Sequence, residues 1–287
     1  MPMMSRGVGE FHRRRILISG LSNTGKTWSL PTFNEEAQSL VILSCPGETG
    51  VQSLPDDTDT MKSFYFTNVS DKDRRTAEWC KDALYDFDTM YKEVEKNKPD
   101  KLFIDGAHNL YELNFNIITD GLFLNGIDLK TVGNTYAAAA FYSRGHIAFG
   151  NRLKMYYDSA IPFIGITTWE RLLGAQTGDE GGTGNKIDIR DDRYWWPSIP
   201  GDMATKVVGF FDARLSARLA KRCIHTSCEL SQEAELHHVW QFYPKSDVAG
   251  VGIKGLTMTK AMQQKPWIHQ SWPALQTLLR RTHNAKA

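Results

Sequence analysis

Apolar positions along this chain alternate between two textures. Short unbroken runs occur at Arg15-Ile16-Leu17-Ile18-Ser19, Leu40-Val41-Ile42-Leu43-Ser44, Lys101-Leu102-Phe103-Ile104-Asp105 and Ile161–Thr168. Runs of that length without polar alternation suit strands buried on both faces. Phe64-Tyr65-Phe66 is a further, shorter strand candidate. Between the runs, apolar residues return every three or four positions. Ala77, Cys80, Leu84, Phe87, Tyr91 and Val94 form one stripe within Arg74–Asn97, with Pro99 just beyond. Tyr142, His146, Phe149, Leu153, Tyr156 and Ala160 form a second between about Tyr136 and Ser159. Both stripes predict amphipathic helices. Residues 112–135 keep no clean period and read as loop with short helical pieces. Strands alternating with single crossover helices predict an α/β fold, a mostly parallel twisted sheet with helices on both faces.

The later part of the chain has a different grain. Gly174–Asn185 is too glycine-rich to hold a packed element and reads as a loop. Tyr194-Trp195-Trp196-Pro197 continues the irregular stretch, and a short helix is expected near Ala204–Asp212. Ala213–Arg222 and Val239–Tyr243 read as neighbouring antiparallel strands, which puts an antiparallel β extension at the C-terminal side. Pro273–Thr282, opening on a proline suited to a first turn, predicts a terminal helix. The pattern divides the chain into an N-terminal arm (1–13), one main domain (14–260) and a C-terminal helical tail (261–287).

Composition narrows the class without naming it. With 41% hydrophobic and 23% charged residues the chain is an ordinary globular protein. No apolar run approaches the roughly 20 residues of a membrane span, and no apolar run follows the basic Arg13–Arg15 cluster as a signal peptide requires. A cytoplasmic protein with no membrane partner is the expectation. A net charge of +1 removes the argument for nucleic-acid binding by bulk charge, though a local basic face would suffice. Cys45 and Cys80 are expected as buried thiols. Cys223, His225 and Cys228, with His237 and His238 beyond, match no zinc-finger or zinc-ribbon spacing and read as a β-hairpin.

One motif carries chemistry. Gly20-Leu21-Ser22-Asn23-Thr24-Gly25-Lys26-Thr27 fits G-x-x-x-x-G-K-[ST] in full, between a buried strand and a helical segment that Pro31 must end or kink. The glycines let backbone amides turn inward around phosphates, with Ser22, Asn23, Thr24 and Gly25 forming the cradle. Lys26 adds a full charge at the β and γ phosphates, and the Thr27 hydroxyl is placed to ligate Mg²⁺. Asp105, at the tip of an apolar strand, is the candidate second carboxylate for the same ion. Glu48 lies just past the second strand, at the edge where a doubly wound sheet puts ligands, and is the candidate base for the attacking water. Thr167 and Thr168 end another strand and are candidates to sense the γ-phosphate.

The run Ile16–Thr27, Leu30-Pro31, then Val41–Leu43 with Glu48 and Gly50, resembles the phage-type RecA-like ATPases. The order continues through Leu102–Asp105 as a Walker B strand, Ile161–Thr168, a glycine-rich loop, Pro197–Gly201 and Val207–Leu219, so the resemblance spans about residues 14–255. It implies a RecA-like P-loop ATPase that binds ATP with Mg²⁺, water activation by Glu48, and a homo-oligomer, ring or filament, with ATP near a subunit interface. It also implies single-stranded DNA as partner in phage recombination or annealing, in the host cytoplasm. The alternatives are a DNA-translocating motor, helicase or packaging ATPase, and a nucleotide-dependent switch with little turnover. Gly174–Asn185 is similar to the second DNA-binding loop of that family, yet it carries Asp179 and Glu180 and no basic residue before Lys186. Tyr194, Trp195 and Trp196 are candidates to stack on bases, and Lys245 to reach a neighbour's ATP.

Overall fold

In the computed structural model the described residues are 14–35, 37–66, 76–127, 135–173, 194–197, 210–222, 235–242, 251–254, 256, 259–264 and 267–284. The strands are β1 (Arg14–Gly20), β2 (Leu40–Ser44), β3 (Met61–Phe64), β4 (Lys101–Asp105), β5 (Phe163–Leu173), β6 (Tyr194–Pro197), β7 (Ala213–Arg222), β8 (Glu235–Gln241), β9 (Gly252–Ile253) and β10 (Trp267–His269). The helices are α1 (Ala77–Asn97), α2 (Ala107–Ile118), α3 (Thr135–Asp158), α4 (Lys260–Gln264) and α5 (Trp272–Asn284), with 3₁₀ turns at Thr27–Asn34 and Gly50–Ser53.

All the strands join one sheet in the order β10-β8-β7-β1-β5-β4-β2-β3, with β6 beside β5 and β9 beside β7. From β7 to β3 every neighbouring pair is parallel. From β7 outward through β8 to β10 the pairing is antiparallel. This is the α/β architecture with a mostly parallel sheet and an antiparallel C-terminal extension that the sequence predicts for a RecA-like protein.

Side-chain alternation along the strands sorts the apolar residues into two cores. Leu17, Leu43, Leu102, Ile104, Ile164 and Ile166 face α1, α2 and α3. Ile16, Ile18, Ile42, Phe103 and Phe163 face the opposite way, against the Thr27–Asn34 turn and α5. Helices therefore cover both faces, which is why the strand sequences show no polar alternation. α1 starts at Thr76, whose side chain accepts the Trp79 amide at 3.2 Å, and ends at left-handed Lys98 before Pro99. β10 pairs with β8, and α5 supplies Trp272, Leu275 and Leu278 to the second core. Buried Arg15 at the start of β1 donates to the carbonyls of Ser159 and Ile161, locking β1 to the chain that follows α3.

Four elements differ from the sequence expectation. The stretch after the P-loop winds as a 3₁₀ helix with Pro31 inside it, because proline has no amide to give an α-helical ladder. The third strand runs from Met61 to Phe64 rather than over Phe64–Phe66. Part of the region read as loop is α2, a regular helix through Ile118. Tyr194–Pro197 is a strand, antiparallel to the far end of β5. The glycine-rich loop, residues 204–209 of the expected short helix, Cys223, His225, Cys228 and Lys245 lie outside the described residues.

Candidate functional site

The parallel strands β1, β2, β4 and β5 point their C-terminal ends to one edge of the sheet, and the candidate residues collect there. A cleft at that edge is lined by Ser22, Asn23, Thr24, Gly25, Lys26 and Thr27 from the loop after β1, and by Glu48, Thr49 and Gly50 after β2. Asp105, Gly106 and His108 enter it from the β4–α2 junction, and Thr167 and Trp169 from β5.

The loop conformation depends on its glycines. Gly25 has φ +82°, a left-handed conformation that L side chains rarely adopt, and a Cβ there would meet His238 Nδ1 at 2.6 Å. Among the described residues, the amides of Asn23, Thr24, Gly25 and Lys26 donate to no backbone acceptor. Lys26 folds over its own loop, with Nζ 3.0 Å from the Gly20 carbonyl and 2.7 Å from that of Leu21. Burial holds its ammonium below the ordinary lysine range, against the pull of Asp105, Glu48 and Glu170. From outside the motif, Gln270 Nε2 donates to the Thr24 carbonyl and to that of Val239, each at 2.9 Å. That amide ties the P-loop to the end of β10.

Across the cleft, Thr27 Oγ1 donates to Asp105 Oδ2 at 2.9 Å. The Thr167 hydroxyl donates to Asp105 Oδ1 and accepts the Gly106 amide at 2.8 Å. Asp105 is 1% exposed, so its charge has little water to stabilise it. Burial, reinforced by the negative charge of Glu48, pushes its carboxyl up to about 6, while the hydrogen bonds from Thr167 and Thr27 and the charge of Lys26 pull the other way. Glu48 Oε1 accepts the amides of Thr49 and Gly50, each at 3.2 Å. Gly106, at φ +81°, is where the chain turns past Glu48: a Cβ there would lie 2.8 Å from Glu48 Oε2.

The structure therefore gathers Lys26, Thr27, Glu48, Asp105 and the 22–25 cradle into one cleft. Gly20, also expected to contact the nucleotide, ends β1 and is not among the residues that line the cleft. Thr167 lines the cleft, whereas Thr168, one position on and 2% exposed, does not, and among the described residues its hydroxyl has no hydrogen-bond partner. Lys245 lies outside the described residues, as do the side chains of Tyr194, Trp195 and Trp196.

Several contributors gave no motif. Glu170 accepts the hydroxyls of Ser19 at 2.7 Å and Ser216 at 2.6 Å and pairs with Arg218 at 2.6 Å, joining the end of β1 to β5 and β7. His108 and Trp169 stack with ring centroids 4.1 Å apart, and Trp28 stands 62% exposed at the cleft. Burial and the nearby Lys26 charge lower the His108 imidazole to about 3, so it is neutral at physiological pH. The one signal available was position: Trp28 follows Thr27, His108 follows Asp105 by three, and Trp169 follows Thr167 and Thr168, which lie within β5 rather than at the strand end the sequence suggests, since the strand runs on to Leu173.

No family model matches the chain, and no curated protein matches it. Among solved structures it is similar to a prototypical ATPase from the type III secretion system of pathogenic bacteria, at 14% identity and a TM-score of 0.36. The match covers 72% of this chain and 52% of that one, so the chain spans about half the length of that ATPase. So distant a likeness carries no argument about function. No helix among the described residues is long and apolar enough to cross a membrane.

Proposed function

We propose that the cleft binds a nucleoside triphosphate with Mg²⁺ and hydrolyses its terminal phosphate, making the chain an ATPase. The observation that carries this is the 2.9 Å contact between the Thr27 hydroxyl, ending the P-loop, and the Asp105 carboxylate, ending β4. A hydroxyl from the end of the P-loop and a carboxylate from the end of β4 converge beside a loop whose amides at 23–26 donate to no backbone acceptor among the described residues.

The residues present fit a divalent cation at that point. Asp105 is a buried carboxylate close enough to Glu48 for their charges to oppose each other, and among the described residues its side chain accepts only from the hydroxyls of Thr27 and Thr167. Bound there, Mg²⁺ would be held by Thr27 and Asp105 and would offset the charge of the β and γ phosphates. The chain supplies the remaining parts. The amides at 22–27 and the positive end of the following turn cradle the β-phosphate. Lys26 exchanges its two loop carbonyls for phosphate oxygens. Glu48, anchored by the amides of Thr49 and Gly50, is held beside Asp105 to orient water and take its proton. Thr167 fixes the rotamer of Asp105.

The wider role we propose, from the sequence resemblance alone, is action on single-stranded DNA in recombination or annealing by subunits assembled side by side. Phosphate release by the full-length chain, with and without Mg²⁺ and single-stranded DNA, tests both levels. Turnover should require Mg²⁺ and rise with DNA, and Glu48→Gln should keep nucleotide binding while slowing turnover about 10²-fold or more. Mg²⁺-dependent turnover indifferent to DNA would leave the ATPase and remove the DNA role. Binding without turnover, unchanged in Glu48→Gln, would instead make the protein a nucleotide-dependent switch.

A further inference from the structure

His108 is the second residue of α2, three positions after Asp105, and it is 4% exposed. Among the described residues neither of its ring nitrogens has a hydrogen-bond partner. A buried polar group is ordinarily satisfied, so an orphan on both nitrogens asks what completes it. The ring does not belong to an apolar pocket. It lines the same cleft as Lys26, Thr167 and Asp105, and it feels the Lys26 charge. One face of the imidazole is covered by Trp169, 25° from parallel. With that face taken and the residue 4% exposed, little ring surface is left for a base to stack on, and the two unpartnered nitrogens are what the ring offers a ligand.

The ligand expected beside Lys26 is the far end of a triphosphate. We propose that His108 is a contact of the terminal phosphate: a ring N–H donates to a γ-phosphate oxygen, and Trp169, stacked on the same ring, carries that event to the surface. The inference rests on the triphosphate reading and extends it, because it gives the chain a means to tell triphosphate from diphosphate. Imidazole presents at least one N–H in either tautomer, so the contact needs no titration. Trp169 is 46% exposed although it lines the cleft, so any shift of the stack is felt at the outer surface. Thr167 and Trp169 sit two apart on β5 and His108 lies just past β4, so the sensing ring is held by the same pair of strands that holds Asp105.

The test is affinity of the full-length protein for the non-hydrolysable triphosphate AMP-PNP and for ADP, with Mg²⁺, by calorimetry. Wild type should prefer AMP-PNP. His108→Phe keeps a ring against Trp169 but no donor, and should cut that preference about tenfold with ADP affinity unchanged. His108→Gln returns a donor and should restore most of it. The emission difference between wild type and Trp169→Phe should change with AMP-PNP and not with ADP, and should cease to respond in the His108→Phe background. A His108→Phe protein with the wild-type preference would overturn the proposal, as would equal loss of both affinities, which would assign His108 to packing. Wild type that binds neither nucleotide overturns the triphosphate reading itself, a separate and recognisable outcome.

Discussion

Lys26 and Asp105 sit on opposite sides of the cleft and are held there in opposite ways. The lysine ammonium is satisfied by the Gly20 and Leu21 carbonyls, groups that water replaces at little cost once the side chain is gone. Lys26→Ala should therefore change stability by about 1 kcal/mol or less, yet lower triphosphate affinity by more than about tenfold, since hydrogen bonds to charged groups are worth about 1.5–3 kcal/mol. Denaturation and calorimetry on the same preparation check both halves. Asp105 is the reverse, a group whose ionised form strains the metal-free fold. Its carboxyl titrates at about 6 in the folded protein, against roughly 4 in an unfolded chain. With the folded value raised, ionisation costs folding free energy. The full cost, about 2–3 kcal/mol, applies above pH 6 and is withdrawn as pH falls from 6 towards 4 and the folded state takes up the proton first. Without metal, Asp105→Asn should be the more stable protein near neutral pH, with its advantage shrinking through that window, and it should lose Mg²⁺-dependent turnover. Denaturant midpoints of the two proteins at about pH 4 and pH 7.5 decide it: an advantage independent of pH would remove the buried charge from the account.

At the scale of elements, the P-loop is gripped by chain far away in sequence. The Thr27–Asn34 turn packs Phe33 against Phe103, Phe163, Trp240 and Trp272, and its Thr32 hydroxyl accepts the Trp272 amide at 3.0 Å. Gln270, two residues before Trp272, holds the Thr24 carbonyl itself. Gln270→Ala should raise KM for the nucleotide severalfold with kcat changed much less, because it loosens the cradle and leaves Glu48 and Asp105 in place. Equal losses in both would instead mean that the chemistry is disturbed. None of this grip shows in the sequence, because Gln270 reaches Thr24 only through the antiparallel order β7-β8-β10. What was legible is local. β1, β2 and β4 are buried on both faces and so read as solid apolar runs, and α1 buries one stripe. α2 is harder to read from the sequence because Ala107, His108, Leu110, Tyr111, Leu113, Phe115 and Asn116 are all buried. With polar His108 and Asn116 buried beside half-buried Asn109, Glu112 and Asn114, polar residues fall on both sides of the helix and blur its period. The P-loop, Asp105 and Glu48 were legible as strand-end residues, whereas His108 and Trp169 meet only because β4 and β5 are neighbours.

For the molecule as a whole, the cleft lies where both cores end. β1 places Leu17 in one core and Ile16 and Ile18 in the other before running into the P-loop, and β4 divides Leu102 and Ile104 from Phe103 in the same way before Asp105. A ligand that ties the P-loop to Asp105 therefore stabilises strands shared by both layers, and opening either layer must release it. Binding to the folded state alone adds RT ln(1 + [L]/Kd), about 2.7 kcal/mol at a hundredfold excess over Kd. For a chain of this size that is a rise in unfolding midpoint of roughly 5 °C. With Mg²⁺ and AMP-PNP the transition should move as one, by the same amount whether followed by helix content or by the emission of Trp240 and Trp272 in the second core, and Lys26→Ala should show no shift. A nucleotide that moved only one of the two signals would mean that the layers unfold independently and that the cleft belongs to just one of them.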